Sequence, residues 1–306
     1  MLLIRISGLQ AYPFKLVICK FKHVLVSIVD MTKFGAKFPF CYYQAQRDNM
    51  ADVSAKDGSQ ETLVNLAALL TSLTVLPLIT ISLKLTWATF LLCVFLHLLC
   101  NYHAVRSVQM ETLNRPRFLS CLHSWVTSNT VPTVKEGNMS EPLLTGPAFI
   151  PVHFVGDFKI HLGCSLNESL KQISSNGRSV DQVFSTVSEV FHYDNYMLLS
   201  DINGKQIWIL YKDDISPLQE LEAFFMAYVL VLNVNHINKN SSIPESIIAP
   251  GVQSNASEIQ LLTCIRSHSI KMFPDLLRAL NEKGWNINKH NLAADEWRFL
   301  DNHRED

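Results

Sequence analysis

LVNLAALLTSLTVLPLITIS (residues 63–82) and LTWATFLLCVFLHLLC (residues 85–100) are the stretches whose reading decides the fold. They sit inside two runs, Thr62–Leu83 and Leu85–Val105, that contain no Asp, Glu, Lys or Arg and are separated by Lys84 alone. At about 1.5 Å of rise per residue, either run is long enough as a helix to cross a hydrocarbon layer of about 30 Å. Backbone polar groups in lipid must bond within their own segment, so helices are the form expected there. A turn around Ser82–Thr86 makes the pair an antiparallel hairpin over residues 62–105, with Trp87 beside the turn at interface depth. Pro77 is expected to end or kink the first helix at Leu76. Asn65, Thr71, Ser72 and Thr74 make that run more polar than a lipid-facing anchor, so a buried hairpin inside a larger bundle is the competing reading.

The composition of the whole chain agrees with a membrane. Charged residues are 17% of 306, against roughly 25% in an average soluble domain, and hydrophobic residues are 48%. Seventeen Phe exclude intrinsic disorder. With 26 Lys+Arg against 27 Asp+Glu, no basic field exists for nucleic acid, and no nucleic-acid partner is expected. Seven Cys, without a CxxC pair, read as reduced thiols.

The flanks of the hairpin give its orientation. Arg47 and Lys56 precede it and Arg106, Arg115 and Arg117 follow it, which places both ends and the C-terminal half in the cytosol. Four N-x-S/T sequons, at Asn138, Asn167, Asn240 and Asn255, would be used only if that half were lumenal. Residues 1–43 are apolar but interrupted by Arg5, Lys15, Lys20 and Lys22, and match neither a spanning helix nor a signal peptide. From Gln44 to Glu61 the chain is polar; Asp48, Asp52 and Lys56 fall on one helix face, and Asp57-Gly58-Ser59 is expected to break that helix.

Downstream, the second apolar helix is expected to continue to Leu113 and to stop at Asn114-Arg115-Pro116-Arg117, because the residue before proline resists helix. The Pro-, Gly-, Ser- and Thr-rich stretch from Thr127 to Gly163 reads as a linker. Residues 164–300 read as a small α+β domain, with 301–306 as a tail. Tyr196–Ser200 and Ile207–Tyr211 flank Asn203-Gly204 as a hairpin. Leu218–Asn233 is a helix apolar on all sides and therefore buried, and Ser257–Lys283 is a helix kinked or split at Pro274. Gly284 ends it and Trp285–Asn288 forms a last strand.

No motif of established chemistry is present: no GxGxxG, P-loop, HExxH or GxSxG. Cys93, His97 and Cys100 share an apolar helix, where packing and interhelical hydrogen bonds account for them better than a metal; His97 and Asn101 are one such pair. His290, Asp295, Glu296 and His303 read as a solvated, frayed end rather than an acid/base pair. No catalytic residue, metal or cofactor is assigned.

QAQRDNMADVSAKDGSQETLVNLA (residues 44–67), NYHAVRSVQMETLNRPR (101–117), EPLLTG (141–146) and GWNINKHNLAADEWR (284–298) together resemble the root UVB sensitive (RUS) family. The resemblance covers roughly Gln44 to Arg298. It does not extend over residues 1–43, where family members carry a further helical, Gly-rich stretch, and so implies a form shortened or altered at its front. It implies membrane association, and links through plant members to UV-B response, auxin transport and vitamin B6 homeostasis. It also singles out Arg47, Asp48, Asn49, Asp52, Lys56, Asp57, Asn101, Tyr102, Arg106 and Asn114 as family-motif residues. These bracket the hairpin on the side expected to be cytosolic, where they would meet as a polar cluster, either as caps and ion pairs or as a ligand site.

The fold expected is therefore a mostly α, membrane-associated helical hairpin followed by a small α+β C-terminal domain. The function expected is that of an integral membrane protein that engages the membrane and protein partners, other family members included. In a transport-related version the Asp48/Asp52/Arg106 cluster handles a polar small molecule. The alternative is a soluble or peripheral enzyme or binder of a B6-type cofactor, with Lys56 as the lysine to test.

Overall fold

In the computed structural model the two apolar stretches are indeed helices. The structure describes residues 50–79, 82–141, 155–177, 179–238, 243–252 and 257–299. Arg47, Asp48 and Asn49 lie outside the described residues. Helix α1 spans Met50–Ile79 and helix α2 spans Leu83–Ser107. The chain divides into two units between Leu98 and Leu99, within α2. In the first unit Leu63, Leu70 and Leu73 of α1 are exposed, and on α2 Leu91 and Phe95 are 61% and 62% exposed.

Helix α1 corrects two expectations. Asp57-Gly58-Ser59 does not break it; Ser59 and Thr62 turn their hydroxyls back to the carbonyls of Ala55 and Gly58 at 2.9 Å instead of capping a new helix. A mid-helix glycine costs only about 1 kcal/mol relative to alanine, which a long helix absorbs. Nor does the helix stop at Leu76: it continues through Pro77 to Ile79. A proline this near the C-terminal end still forfeits its own N–H bond, but few residues beyond it depend on the ladder.

The second unit contains all the described strands. Helix α2 ends at Ser107, not at Leu113, and Thr112–Asn114 forms strand β1. The NRPR motif then starts a helix instead of stopping one. Asn114 is the N-cap of α3 (Arg115–Ser128): its side-chain oxygen accepts from the Arg117 amide at 3.0 Å, and Pro116 lies in the first turn, where its missing N–H costs nothing. Within the stretch read as a linker, the described residues include regular elements. Among them are α4 (Val134–Ser140), opened by a reciprocal capping box between Thr133 and Glu136, and β2 (Lys159–Leu162). The Glu136 carboxyl is held below its ordinary value by those hydrogen bonds from Thr133.

Beyond β2 come α5 (Leu166–Ser175), α6 (Val180–Val190), β3 (Tyr196–Asp201), β4 (Gln206–Tyr211), α7 (Pro217–Ile237), a 3-10 turn (Glu245–Ile247), α8 (Glu258–Glu282) and β5 (Asn286–Asn291). The expected hairpin is β3–β4, paired antiparallel from Tyr196↔Tyr211 to Asp201↔Gln206. In its turn Gly204 lies against the Asp201 carboxylate, so close that a side chain at 204 would collide with it, while Lys205 takes the left-handed φ of 53°. β2 adds to β4 in parallel, giving the order β2-β4-β3; β1 and β5 form a separate parallel pair.

From Ala223 to Val231 helix α7 is buried on every side, as the apolar sequence there requires, and the helix packs against α8 and the β3–β4 strands. Helix α8 is a single element running through Pro274 rather than two. The core gathers around α7, with Phe118 of α3 tilted against Phe224 and Trp125 edge-on to Phe225 at ring distances of 5.7 and 5.9 Å.

Candidate functional site

The family-motif residues are divided between the two units. Asp52 and Lys56 are exposed and Asp57 half-buried on α1. Asn101 and Tyr102 are exposed on the last turns of α2, and the Arg106 guanidinium lies 5.7 Å from the centre of the Tyr102 ring. Arg106 and Asn114 enter a built polar cluster within the second unit. Nη1 of Arg106 donates to the carbonyls of Asn138, Met139 and Glu141 at 3.3, 2.8 and 2.9 Å, satisfying the C-terminal end of α4.

Three residues that the motif reading did not place in the site complete this cluster. Glu141 accepts from Asn114 Nδ2 at 2.5 Å through one oxygen and from Arg117 Nε at 2.7 Å through the other. Arg117 also donates to the Thr112 carbonyl at 3.0 Å. Asn138 closes the ring, donating to the carbonyls of Met110 and Val134 and accepting from the Met110 amide at 3.1 Å. The Arg117–Glu141 pair is shielded, with side chains 8% and 18% exposed. Such an arrangement holds the α2–β1–α3 segment against α4. Its hydrogen bonds are spent on the fold, and it offers no nucleophile or acid/base pair.

The C-terminal motif forms a second cluster, and the expected frayed end is corrected as far as Phe299. Its first residue, Gly284, terminates α8 with φ of 84°, and Trp285 donates Nε1–H to the Pro132 carbonyl at 2.9 Å. The chain then runs back over the domain as a strap. His290 Nε2 lies 2.8 Å from the Pro217 carbonyl and 3.8 Å from Glu220, which also pairs with Arg298 at 3.4 Å. The Asp295 amide donates to Leu162 and that of Phe299 to Tyr211. Arg298 lies over the Tyr211 ring at 5.0 Å.

Sequence spacing could not show this, because Leu162, Tyr211, Pro217 and Glu220 are all remote from the strap in the chain. The strap fits closely at Gly163, whose φ is +65° and where a Cβ would run into the Asp295 carbonyl. Beside it, Cys164, Leu166, Leu170, Trp297 and Phe299 border a cleft of about 410 Å³. Burial, with the Asp295 charge adding to it, pushes the Cys164 thiol up to about 12, so it is a poor nucleophile there. At the same end of the β3–β4 pair, just ahead of β3, Arg266 grips Asp194 with Nε and Nη2 at 2.5 and 2.9 Å. Burial, reinforced by Asp194, raises the Glu222 carboxyl above its ordinary value. Among the described residues no three His, Cys, Asp or Glu side chains gather as a metal-ligating group.

Two family models match in tandem: "Vitamin B6 photo-protection and homoeostasis domain" over residues 6–129 and "Root UVB sensitive protein, C-terminal" over residues 130–300. The chain belongs to the root UVB sensitive family. The first match begins at residue 6, and so takes in most of the segment 1–43 that the sequence reading had set apart. Among curated RUS relatives, RUS family member 1 of Dictyostelium discoideum is 35% identical over 49% of this chain and 28% of its own length. Protein root UVB sensitive 6 of Arabidopsis thaliana is 27% identical over 70% of this chain and 39% of its own length. Protein root UVB sensitive 3 of the same plant is 27% identical over 65% and 43%. The aligned region thus spans less than half of each of these RUS proteins. No solved structure matches.

The boundary between the two RUS models falls at residues 129/130, directly after α3. Arg106, Asn114 and Arg117 come from the first model, and Asn138 and Glu141 from the second. The polar cluster is therefore a joint between the two parts of the RUS sequence.

Proposed function

We propose that this chain is a membrane-embedded RUS protein without catalytic machinery of its own, in which the α1–α2 region is held by lipid and the second unit engages protein partners from the cytosolic side. The observation that carries this reading is α2. Among the described residues α2 and α7 are long and apolar enough to cross a bilayer, but α7 is largely buried in its own unit whereas α2 is not. A row of exposed Leu and Phe of that length has a large cost in water and none in lipid. Carbonate extraction of the full chain from cell membranes is the test. Retention in the pellet is expected, and release into the supernatant would sink the reading.

A transport-related form of this function would draw on Asp52 and Lys56, which are exposed on α1. Arg106 supports it less, since its guanidinium is committed to the end of α4.

The description of the first family model favours one other reading, a B6-type ligand. An imine-forming lysine needs a desolvated amine. Lys56 is exposed, and among the described residues the buried lysine is Lys212, just after β4. The residues do not fit a pyridoxal phosphate site at Lys56. Borohydride trapping with pyridoxal phosphate should give no label on the wild type beyond that on Lys56→Ala; a label lost only in that variant would restore the cofactor reading.

A further inference from the structure

We propose that the C-terminal part of the RUS sequence carries a docking surface for the strand–helix segment Thr112–Ser128, so that the two family modules are held together non-covalently and not merely joined by the chain. The segment lies wholly within the first family match, yet its partners lie almost wholly within the second. Strand β1 pairs in parallel with β5, from Thr112↔Asn286 to Asn114↔Asn291, and the Asn286 amide donates to the Glu111 carbonyl at 3.0 Å. A short strand contributed from far along the chain is the recognition mode of strand addition, in which backbone hydrogen bonds give affinity and side-chain pockets give selectivity.

The pockets are present. Phe118, Leu119, Cys121 and Leu122 are fully buried, and Phe118 and Trp125 meet Phe224 and Phe225 of α7. Arg115 gives the contact its register. Its guanidinium donates to the carbonyls of Leu292 and Ala293, reaching across the strap. Burial lowers the Arg115 pKa, which reflects how fully this cation is withdrawn from water. A buried guanidinium with two backbone acceptors in fixed geometry rejects a misplaced segment, because any slip leaves a charge without partners. The seam between the modules, by contrast, is exposed: Thr127, Ser128, Asn129 and Thr130 all face solvent, and Asn129 takes the left-handed φ of 53° that closes α3.

The exposed seam allows a test on the full chain after it has folded. A specific protease site is inserted after Asn129, and the protein is purified in mild detergent, cut to completion and run on gel filtration under native conditions. The two fragments are expected to elute together, with hydrogen exchange of residues 284–299 unchanged by the cut. In the cut chain Arg115→Ala is expected to speed fragment release by about tenfold or more, which corresponds to ~1.4 kcal/mol. Thr127→Ala, at the exposed end of α3, should release no faster than wild type. Separation of the wild-type fragments, with or without unfolding of the C-terminal one, would overturn the proposal. So would equal release rates for Arg115→Ala and Thr127→Ala.

Discussion

Tyr196 and Tyr211 stand directly opposite one another across the β3–β4 pair, both buried, and each has a hydroxyl with no hydrogen-bond partner among the described residues. Charged groups surround the pair without bonding to it. Glu222, Asp194 and Arg266 act on Tyr196, and Glu220, Arg115 and Arg298 on Tyr211. Burial raises both phenols above their ordinary value, so both stay protonated in the folded state.

A buried hydroxyl without a partner costs about 1–3 kcal/mol of desolvation. Tyr211→Phe is therefore expected to leave stability unchanged or raise it by up to about 1 kcal/mol in denaturant unfolding followed by tryptophan fluorescence. A loss above that size would mean that the hydroxyl has an acceptor after all.

Glu141 is the acceptor for both Asn114 and Arg117. Removing one partner of a shielded pair strands the other charge, so Glu141→Ala should destabilise the second unit by about 3–5 kcal/mol. Glu141→Gln keeps one acceptor and should cost less than half as much. Equal losses in the two variants would show that the charge of Glu141 is unimportant.

The raised Glu222 carboxyl sets a sign for pH dependence. Its folded pKa lies above the unfolded value of about 4.3, so its contribution is fully present below that pH and is lost as pH rises through the folded pKa. Glu222→Gln should thus stabilise the protein at neutral pH and match wild type near pH 4. Melting curves across that range check it, and a variant less stable than wild type at pH 7 would contradict it.

Gly163→Ala places a methyl group against the Asp295 carbonyl and forces φ of +65° on an alanine. The strain alone is worth about 1 kcal/mol, and the collision must be relieved by moving the strap. Hydrogen exchange should rise over residues 292–299 while the interior of α7 stays protected. Uniform exchange in both regions would point to global destabilisation instead.

The sequons provide a topology reporter with an internal control. Asn138 is buried with Nδ2 donating to two carbonyls, whereas Asn167 is exposed on the first turn of α5. With the second unit in the cytosol, neither gains glycan in cells. Glycan at Asn167, removable by endoglycosidase, would place the unit in the lumen.

Much of the architecture was legible in the residues because it is local. Apolar runs between Thr62 and Val105 specify helices by length and lack of charge. The burial of α7 could be read from an apolar sequence with no charged side from Phe224 to Leu232. The helical spacing of apolar residues from Leu261 to Leu280 marked α8, and the two apolar runs either side of Asn203-Gly204 marked the β3–β4 hairpin. Proline was the least reliable signal. Pro77 and Pro274 stay inside helices and Pro116 begins one, since the effect of a proline depends on where in a helix it falls.

The sequence by itself determined that this is a RUS chain with two charge-free apolar runs separated by Lys84 and an α+β C-terminal unit. Only the tertiary structure showed which groups Arg106, Asn114 and Arg115 bond to. Asn114 was visible as a helix boundary, but nothing near it in the chain announced Glu141 as its partner, and nothing near Arg115 announced Leu292 and Ala293. Local periodicity reflects which face of an element avoids water. A buried cation instead finds its acceptors wherever the folded backbone offers unpaired carbonyls, and here those lie at the opposite end of the chain.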